Sequence, residues 1–374
     1  MKIAIEAQRI FRKKKHGMDF VALESIRELQ KIDTKNEYFI FVSPGPDRCL
    51  SESKNVHIIE LKCPSYPLWE QIALPYAIHK LKPDLLHCTS NTAPLVCSVP
   101  LILTLHDIIF LEQRQSSNLS WYQEMGWYYR RIIVPHILYK CKKIITVSKF
   151  ECNRIHTTLQ LPQEVLTVVY NGYSPSFSPN KKDRSITLKY IQSEGYLFFL
   201  GNTDPKKNTV GVLKAYYVYL QQSTQKRSLL IADLKEEIID SILIKEGIEK
   251  IKSHLIFPGY IPNKDLIALY NGAFAFLYPS LRESFGIPML EAMACGIPII
   301  TSNTSAMPEI AGEDSLLVNP FNIQEIADCL LQLEQDKELY KKQVDYGLIR
   351  TKLFSWESTA NKLLKIYKDI LPCK

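Results

Sequence analysis

The chain lacks any long hydrophobic run. No stretch of about 18 or more apolar residues occurs, so no membrane-spanning helix is expected. Paired cysteines are missing too. The nine cysteines are scattered and odd in number, no CxxC occurs, and no Cys/His cluster has metal-ligand spacing. That pattern argues against a disulfide scaffold or a zinc site and suits a reducing cytoplasm. Cys88, Cys97, Cys295 and Cys329 stand in apolar contexts, as small buried hydrophobes do. The phrases of several enzyme classes are also absent. There is no G-x-S-x-G elbow, no H-E-x-x-H and no P-loop lysine motif. No G-x-G-x-x-G follows the first strand, which disfavours a dinucleotide oxidoreductase. The start, MKIAIEAQRI, is too short and too soon charged for a secretion signal and reads as a strand.

What is present is an ordinary globular composition, 46% hydrophobic and 23% charged over 374 residues. That length allows two or three domains and a sizeable core. The net charge of +7 suits an anionic partner. Nucleic acid is disfavoured, because the basic residues are dispersed and no binding motif accompanies them. An acidic membrane surface or a sugar diphosphate fits equally well. The densest basic cluster is Arg9, Arg12, Lys13, Lys14 and Lys15, with Arg27 and Lys31 nearby. Those first five charges repel one another unless an anion is close. The segment is therefore expected to serve anionic lipid or an acceptor diphosphate rather than the fold; a solvated loop is the bland alternative.

Along the chain, strands alternate with helices. Lys2–Ala7 reads as a buried strand, followed by a helix over Met18–Lys31. Tyr38–Val42, Val56–Leu61, Leu85–Cys88, Leu101–Leu105, Ile144–Val147 and Leu166–Tyr170 read as further strands. An aromatic-rich helix is expected over Ser120–Lys140, and Ser148 is a suitable N-cap for the next. Residues 173–185, YSPSFSPNKKDRS, form the best linker. The alternation then restarts with strands at Tyr196–Leu200, Leu229–Ala232, Leu255–Phe257, Ala275–Tyr278 and Ile297–Thr301. Helices fill the tail, the last starting near Ser355. Two successive βα domains of similar size imply two Rossmann-like units.

The most informative stretch runs from Pro279 to Gly312. Glu283 and Glu291 stand eight positions apart, with Phe285-Gly286-Ile287-Pro288 between them. Pro288 suits the first position of a helix, since its missing N–H has no partner there anyway. Glu283 then falls on a loop and Glu291 in the first turns of the helix. The N–H groups of Ser284 to Ile287 and the positive helix end suit a phosphate. The carboxylates suit hydroxyls of a ribose or hexose. A second candidate is GNTDPKKN, Gly201–Asn208, a strand–turn–helix with lysines at the turn and so a natural diphosphate site. A third is His106-Asp107, at the carboxyl end of the strand LILTLHD, where ligands of parallel sheets bind. Asp107 is placed to orient the imidazole or to cap the next segment.

E-S-F-G-I-P-M-L-E-A-M-A-C-G, Glu283–Gly296, resembles the E-G-F-G-x-P-x-L-E-A-M-A-x-G phrase of the retaining nucleotide-sugar glycosyltransferases of family four, with Ser284 replacing a glycine. The resemblance covers nearly the whole chain, through FSWESTANKLLKIY. It implies an α/β GT-B fold, with two Rossmann-like domains facing a cleft. An acceptor domain would cover 1–172, the linker 173–185 and a nucleotide-sugar domain 186–354. A C-terminal helix, 355–374, would cross back to the first domain. Lys207 matches the family lysine on the donor diphosphate, and His106 the histidine that contacts the donor sugar. Glu283 would hold sugar hydroxyls and Glu291 the ribose. Ser284, Phe285, Gly286 and Ile287 would meet the phosphate. Asn202 stands where many relatives carry an arginine, so Lys206, Arg282 or a basic-loop residue must supply that charge. Gly17, in HGMDF, corresponds to a glycine-rich loop reaching donor phosphates and acceptor. Gly259 and Tyr260 correspond to a turn whose backbone contacts the base.

The H-D-x-x-x-L, P-x-K-N and F-S-W phrases resemble a subgroup that includes mannosyltransferases of bacterial surface polysaccharides. This implies mannose transferred from GDP-mannose with retention, without metal or other cofactor. The acceptor would be a saccharide or lipid-linked oligosaccharide, met in the cytoplasm or at the inner membrane face. A UDP-linked hexose or N-acetylhexosamine is the alternative donor. A nucleotide-sugar hydrolase or epimerase, and a non-catalytic sensor, are the readings from other classes.

Overall fold

Short apolar runs supply all the strands, and helices cover the sheets they form. The computed structural model describes residues 1–112, 121–179 and 184–371. Ser120 of the expected long helix, residues 180–183 of the expected linker, and residues 372–374 lie outside the described residues. The chain divides into two compact units. One comprises Met1–Gly172 with Ser355–Lys374, the other Tyr173–Phe354.

The first unit holds β1 (Lys2–Glu6), β2 (Glu37–Val42), β3 (Val56–Glu60), β4 (Leu85–Cys88), β5 (Leu101–Thr104), β6 (Cys141–Thr146) and β7 (Leu166–Val168). They form one parallel sheet in the order β3-β2-β1-β4-β5-β6-β7. Ile3 pairs with Tyr38 on one side and Leu85 on the other. The second unit holds β8 (Tyr196–Leu200), β9 (Leu229–Ala232), β10 (Leu255–Ile256), β11 (Ala273–Tyr278), β12 (Ile299–Ser302) and β13 (Leu316–Val318), in the order β10-β9-β8-β11-β12-β13. In each sheet the order reverses beside the first strand, between β1 and β4 and between β8 and β11. Ligand crevices of doubly wound sheets open there, at the carboxyl ends.

The Gly17–Ile32 helix buries Ala22, Leu23, Ile26 and Leu29 at helical spacing. The C-terminal helix, Trp356–Ile370, is capped by the Ser355 hydroxyl, which accepts from Ser358 N at 3.0 Å. Its Ala360, Leu363, Ile366 and Tyr367 join the same core as Ile3, Ile26 and Leu29. Each such side chain contributes roughly 1.5–3 kcal/mol when fully buried. Tyr367 also reaches His87 Nδ1 at 2.7 Å, tying this helix to β4. Gly172 makes the close approach possible: a Cβ there would lie 2.3 Å from Trp356 N.

Candidate functional site

The second unit gathers its candidates at the β8/β11 reversal. After β8, Asn202 Oδ1 accepts from Asp204 N at 2.9 Å, folding the turn on itself. Asp204 caps the short Pro205–Lys207 turn and pairs with Lys206 at 3.3 Å. Asn208, at φ +58°, ends that turn and donates to Pro279 O at 3.0 Å and Pro320 O at 2.8 Å. Leu281 N donates to Lys206 O at 2.7 Å. The loops after β8 and β11 are thereby stitched together.

The stitching brings Lys207 and Glu283 into contact, with Nζ 2.5 Å from Oε1. The same ammonium donates to the Tyr278 hydroxyl at 3.2 Å. Both ends of the pair keep solvent access, 22% for Lys207 and 13% for Glu283, so an incoming anion can reach it. Glu283 N donates to Ser305 Oγ at 3.2 Å, which anchors the loop to the segment after β12. Gly286, at φ +95°, then turns the chain into the Ile287–Ala294 helix, with Pro288 in its first turn. Its conformation strains any residue with a side chain. Phe285 is buried, edge-on to Phe354 at 5.9 Å, and Ser284 and Ile287 are half-buried.

Glu291 lies on that helix and keeps partial access to solvent. Removal from water pushes its carboxyl up to about 7, against the partial opposition of the Tyr270 hydroxyl. A carboxyl so placed is ready to accept hydroxyl donors from a ligand. Gly259, at φ +71°, lies in the loop after β10, and its carbonyl accepts from Asp233 N at 3.2 Å; Tyr260 is 70% exposed.

The first unit gathers a different set at the β1/β4 reversal. His106 is buried just past β5. Its Nε2 faces Thr89 O at 2.9 Å, and its backbone N donates to Asn91 Oδ1 at 2.6 Å. A carbonyl only accepts, so Nε2 carries the proton and Nδ1 is the ring acceptor. Burial holds the imidazole below its ordinary pKa, in the neutral form. Asp107 does not reach the ring: its Oδ1 accepts from Ile109 N at 3.1 Å and caps the next turn. Gly17, exposed at the start of its helix, has open space around its Cα.

A family model described as "Glycosyltransferase Family 4" matches residues 16–177, and one described as "Glycosyl transferases group 1" matches residues 182–349. The chain belongs to the family four, group 1 glycosyltransferases. O-antigen chain mannosyltransferase B of Escherichia coli is 30% identical over 61% of this glycosyltransferase and 60% of its own length. O-antigen chain mannosyltransferase RfbU of Salmonella typhimurium is 26% identical over 84% of the chain and 85% of its own. The match thus spans less than two thirds of mannosyltransferase B. Among solved structures, sucrose-phosphate synthase from Thermosynechococcus elongatus shares the fold at TM-score 0.76 and 18% identity, over 99% of both chains. Anabaena HepE, solved with UDP, does so at 0.74 and 15%, over 99% of this chain and 100% of its own. The fold of this glycosyltransferase is GT-B.

Sequence reasoning about the glycosyltransferase missed several neighbours of the candidates. Tyr278 and Ser305 touch Lys207 and the Glu283 backbone. Their signal was position: each follows or ends a strand beside the reversal. Glu6 and Glu70, both fully buried, went unnoticed in the first unit. The basic segment needs a correction. Its anions are internal: Arg9 pairs with Asp19 at 3.6 Å, Arg12 also meets Asp19, and Lys15 meets Asp47. Asp19 further accepts from His16 N at 2.8 Å and so caps the Gly17–Ile32 helix. Arg9, Arg12 and Lys15 therefore serve the fold, because two aspartates answer their charge, while Lys13 and Lys14 are exposed.

Proposed function

We propose that this chain is a retaining hexosyltransferase that moves mannose from GDP-mannose to a saccharide or lipid-linked saccharide of a surface glycan. The observation that carries the reading is the accessible Lys207–Glu283 pair in the loop leading to the Ile287–Ala294 helix. An ammonium, a helix amino end and a carboxylate in one crevice match a diphosphate joined to a polyhydroxylated sugar. The curated relatives named as mannosyltransferases support the choice of sugar.

In this reading Lys207 and the amides before Met289 stabilise charge developing on the departing diphosphate. Glu283, released from Lys207 as the phosphates arrive, accepts hydroxyls of the hexose. Glu291 accepts from the ribose, and the backbone at Gly259 and Tyr260 meets the base. Lys206 or Arg282 supplies the charge that Asn202 lacks. His106 offers Nδ1 to a donor-sugar hydroxyl. No protein nucleophile is assigned; the leaving diphosphate takes the acceptor proton on the face it vacates. No metal is required by this scheme.

The acceptor is proposed to be met at an acidic membrane surface. Ile72 and Tyr76, and Tyr128 and Ile132 on the Trp121–Leu138 helix, are between 56% and 62% exposed on the first unit. Lys80 lies 4.5 Å from the Tyr76 ring and Arg131 4.4 Å from Trp127. Aromatic and basic side chains around exposed aliphatics suit an anionic bilayer interface. No described helix is long and apolar enough to cross a membrane. Failure to sediment with phosphatidylglycerol vesicles at low salt would remove this part of the reading.

The donor is tested by a thermal-shift panel of GDP, UDP, ADP and TDP with their sugars, in chelator, followed by product analysis with and without acceptor. Ligand at about 100 times its Kd adds roughly 2.7 kcal/mol of stability. GDP-mannose should stabilise and be consumed only with acceptor. A response to UDP sugars alone moves the donor to UDP. Consumption without acceptor makes the protein a hydrolase or epimerase, and binding without turnover makes it a sensor. Binding restored only by magnesium or manganese ends the metal-free scheme.

A further inference from the structure

Two carboxylates of the first unit are fully buried and play no part in the scheme above. Glu6 ends β1, and Glu70 sits in a π-helical turn, Trp69–Ala73. Such turns recur at functional sites. Taking a carboxylate out of water costs several kcal/mol, and an apolar residue usually fills a purely structural position more cheaply. Something must be gained at each.

Both acids hold the same short loop, Thr89–Thr92, which follows β4. Glu6 Oε2 accepts from Thr89 N at 3.1 Å, and the Thr89 hydroxyl donates back to Glu6 O at 2.8 Å. Glu6 Oε1 accepts from Gln8 N at 2.9 Å. At the other end of the loop, Glu70 Oε1 accepts from the Thr92 hydroxyl at 2.5 Å and from Tyr66 at 2.6 Å. Glu70 Oε2 accepts from Tyr129 at 2.5 Å and Gln71 Nε2 at 3.0 Å. Every donor aimed at Glu70 comes from a different side chain, so the carboxylate draws three helical segments and the loop to one point.

The clamped loop in turn fixes His106. Thr89 O takes the ring proton, Asn91 Oδ1 takes the His106 backbone proton, and Asn91 holds φ +66°. Asparagine tolerates that left-handed conformation better than most residues with a side chain, and it is part of the shape the loop is held in. We propose that Glu6 and Glu70 are positioning residues for His106: they clamp the two ends of Thr89–Thr92, and the loop sets the tautomer and aim of the imidazole. The proposal rests on the donor-sugar reading of His106.

Glutamine at either position keeps size but turns one acceptor oxygen into an amide that faces an N–H or hydroxyl donor. In full-length Glu6→Gln and Glu70→Gln, kcat should fall about tenfold or more, as small misplacements of reacting groups do. The Kd of free GDP should stay within about twofold, since no phosphate group is touched. The nitrogen-15 and Nε2-proton resonances of His106, assigned with His106→Gln, should shift or broaden toward mixed tautomers. Should a Gln variant not fold, Thr92→Val removes one hydroxyl and should show the same split at smaller amplitude. Folded variants with wild-type kcat and an unmoved His106 signal overturn the proposal. Its failure is separable from that of the underlying reading. If His106→Ala keeps its kcat, His106 has no role in transfer, whereas the imidazole signal still reports whether the acids position it.

Discussion

The two sheet reversals use charge in opposite ways. In the first unit Glu6, Glu70 and Asp19 are buried, and each is spent on protein groups: backbone N–H, tyrosine hydroxyls, arginines. In the second unit Lys207 and Glu283 are paired but remain reachable, and Glu291 keeps partial access to solvent. A charge already answered by the protein fixes geometry. A charge answered only in part is available to a ligand. The same topology thus yields one end built for precision and one built for binding.

The largest expected effect tests the first half of that contrast. Asp19→Asn leaves Arg9 and Arg12 without their shared anion and weakens a helix cap. The arginines left behind keep about a quarter to a third of their exposure, so losing the charge-assisted bond and the cap together costs about 2–4 kcal/mol. Chemical denaturation should show that loss while GDP affinity holds. Lys13→Ala, at an exposed position, should change stability by less than about 0.5 kcal/mol. If the two substitutions are equally mild, the internal pairing of the basic segment is incidental.

Lys207→Ala tests the second half. A charge-assisted hydrogen bond is worth about 1.5–3 kcal/mol, so nucleotide affinity should drop roughly tenfold to a hundredfold with little change in unfolding. Glu283→Ala should do the reverse to binding: free GDP binds as well or better, since Lys207 is released, while turnover collapses. Calorimetry beside steady-state rates decides it. Parallel losses in both quantities for both variants would show that the pair acts as structure.

A smaller effect, in pH, sharpens the point. Glu291 titrates near 7 in the folded chain, above an ordinary carboxyl. The folded state therefore favours the protonated form: its stability contribution is full below about 4.5 and is lost as pH rises through 7. A ribose that donates to the carboxylate selects the ionised form. GDP should then bind about tenfold more tightly at pH 8 than at pH 6. Glu291→Gln should flatten that profile; an unchanged slope would assign the pH dependence to another group, such as Glu6, also pushed up to about 7 by burial.

What could be read from the sequence follows range in the chain. Strands such as Leu85–Cys88 and Leu229–Ala232 are continuous apolar runs, and each formed where expected. Pro288 after Gly286 announced a helix start, which the Ile287–Ala294 helix places there. β13, three residues long, is too short to carry a periodic signal. The Lys207–Glu283 pair joins residues 76 apart, and Glu6 with Thr89 joins residues 83 apart. Such partners are set by strand order, which no local pattern states. The basic segment was misread only in part for that reason, since Asp19, which answers Arg9 and Arg12, lies close by in sequence. Asp47, which answers Lys15, enters from the loop after β2.

The contact of Gly172 with Trp356 carries a consequence for engineering the chain. The backbone leaves the first unit at Gly172 and re-enters it at Ser355, and those two points abut. The second unit therefore lies in sequence between two segments of the first. A short bridge from Gly172 to Ser355 can close the host without stretching it, and a foreign nucleotide-binding unit can be grafted at the same two points.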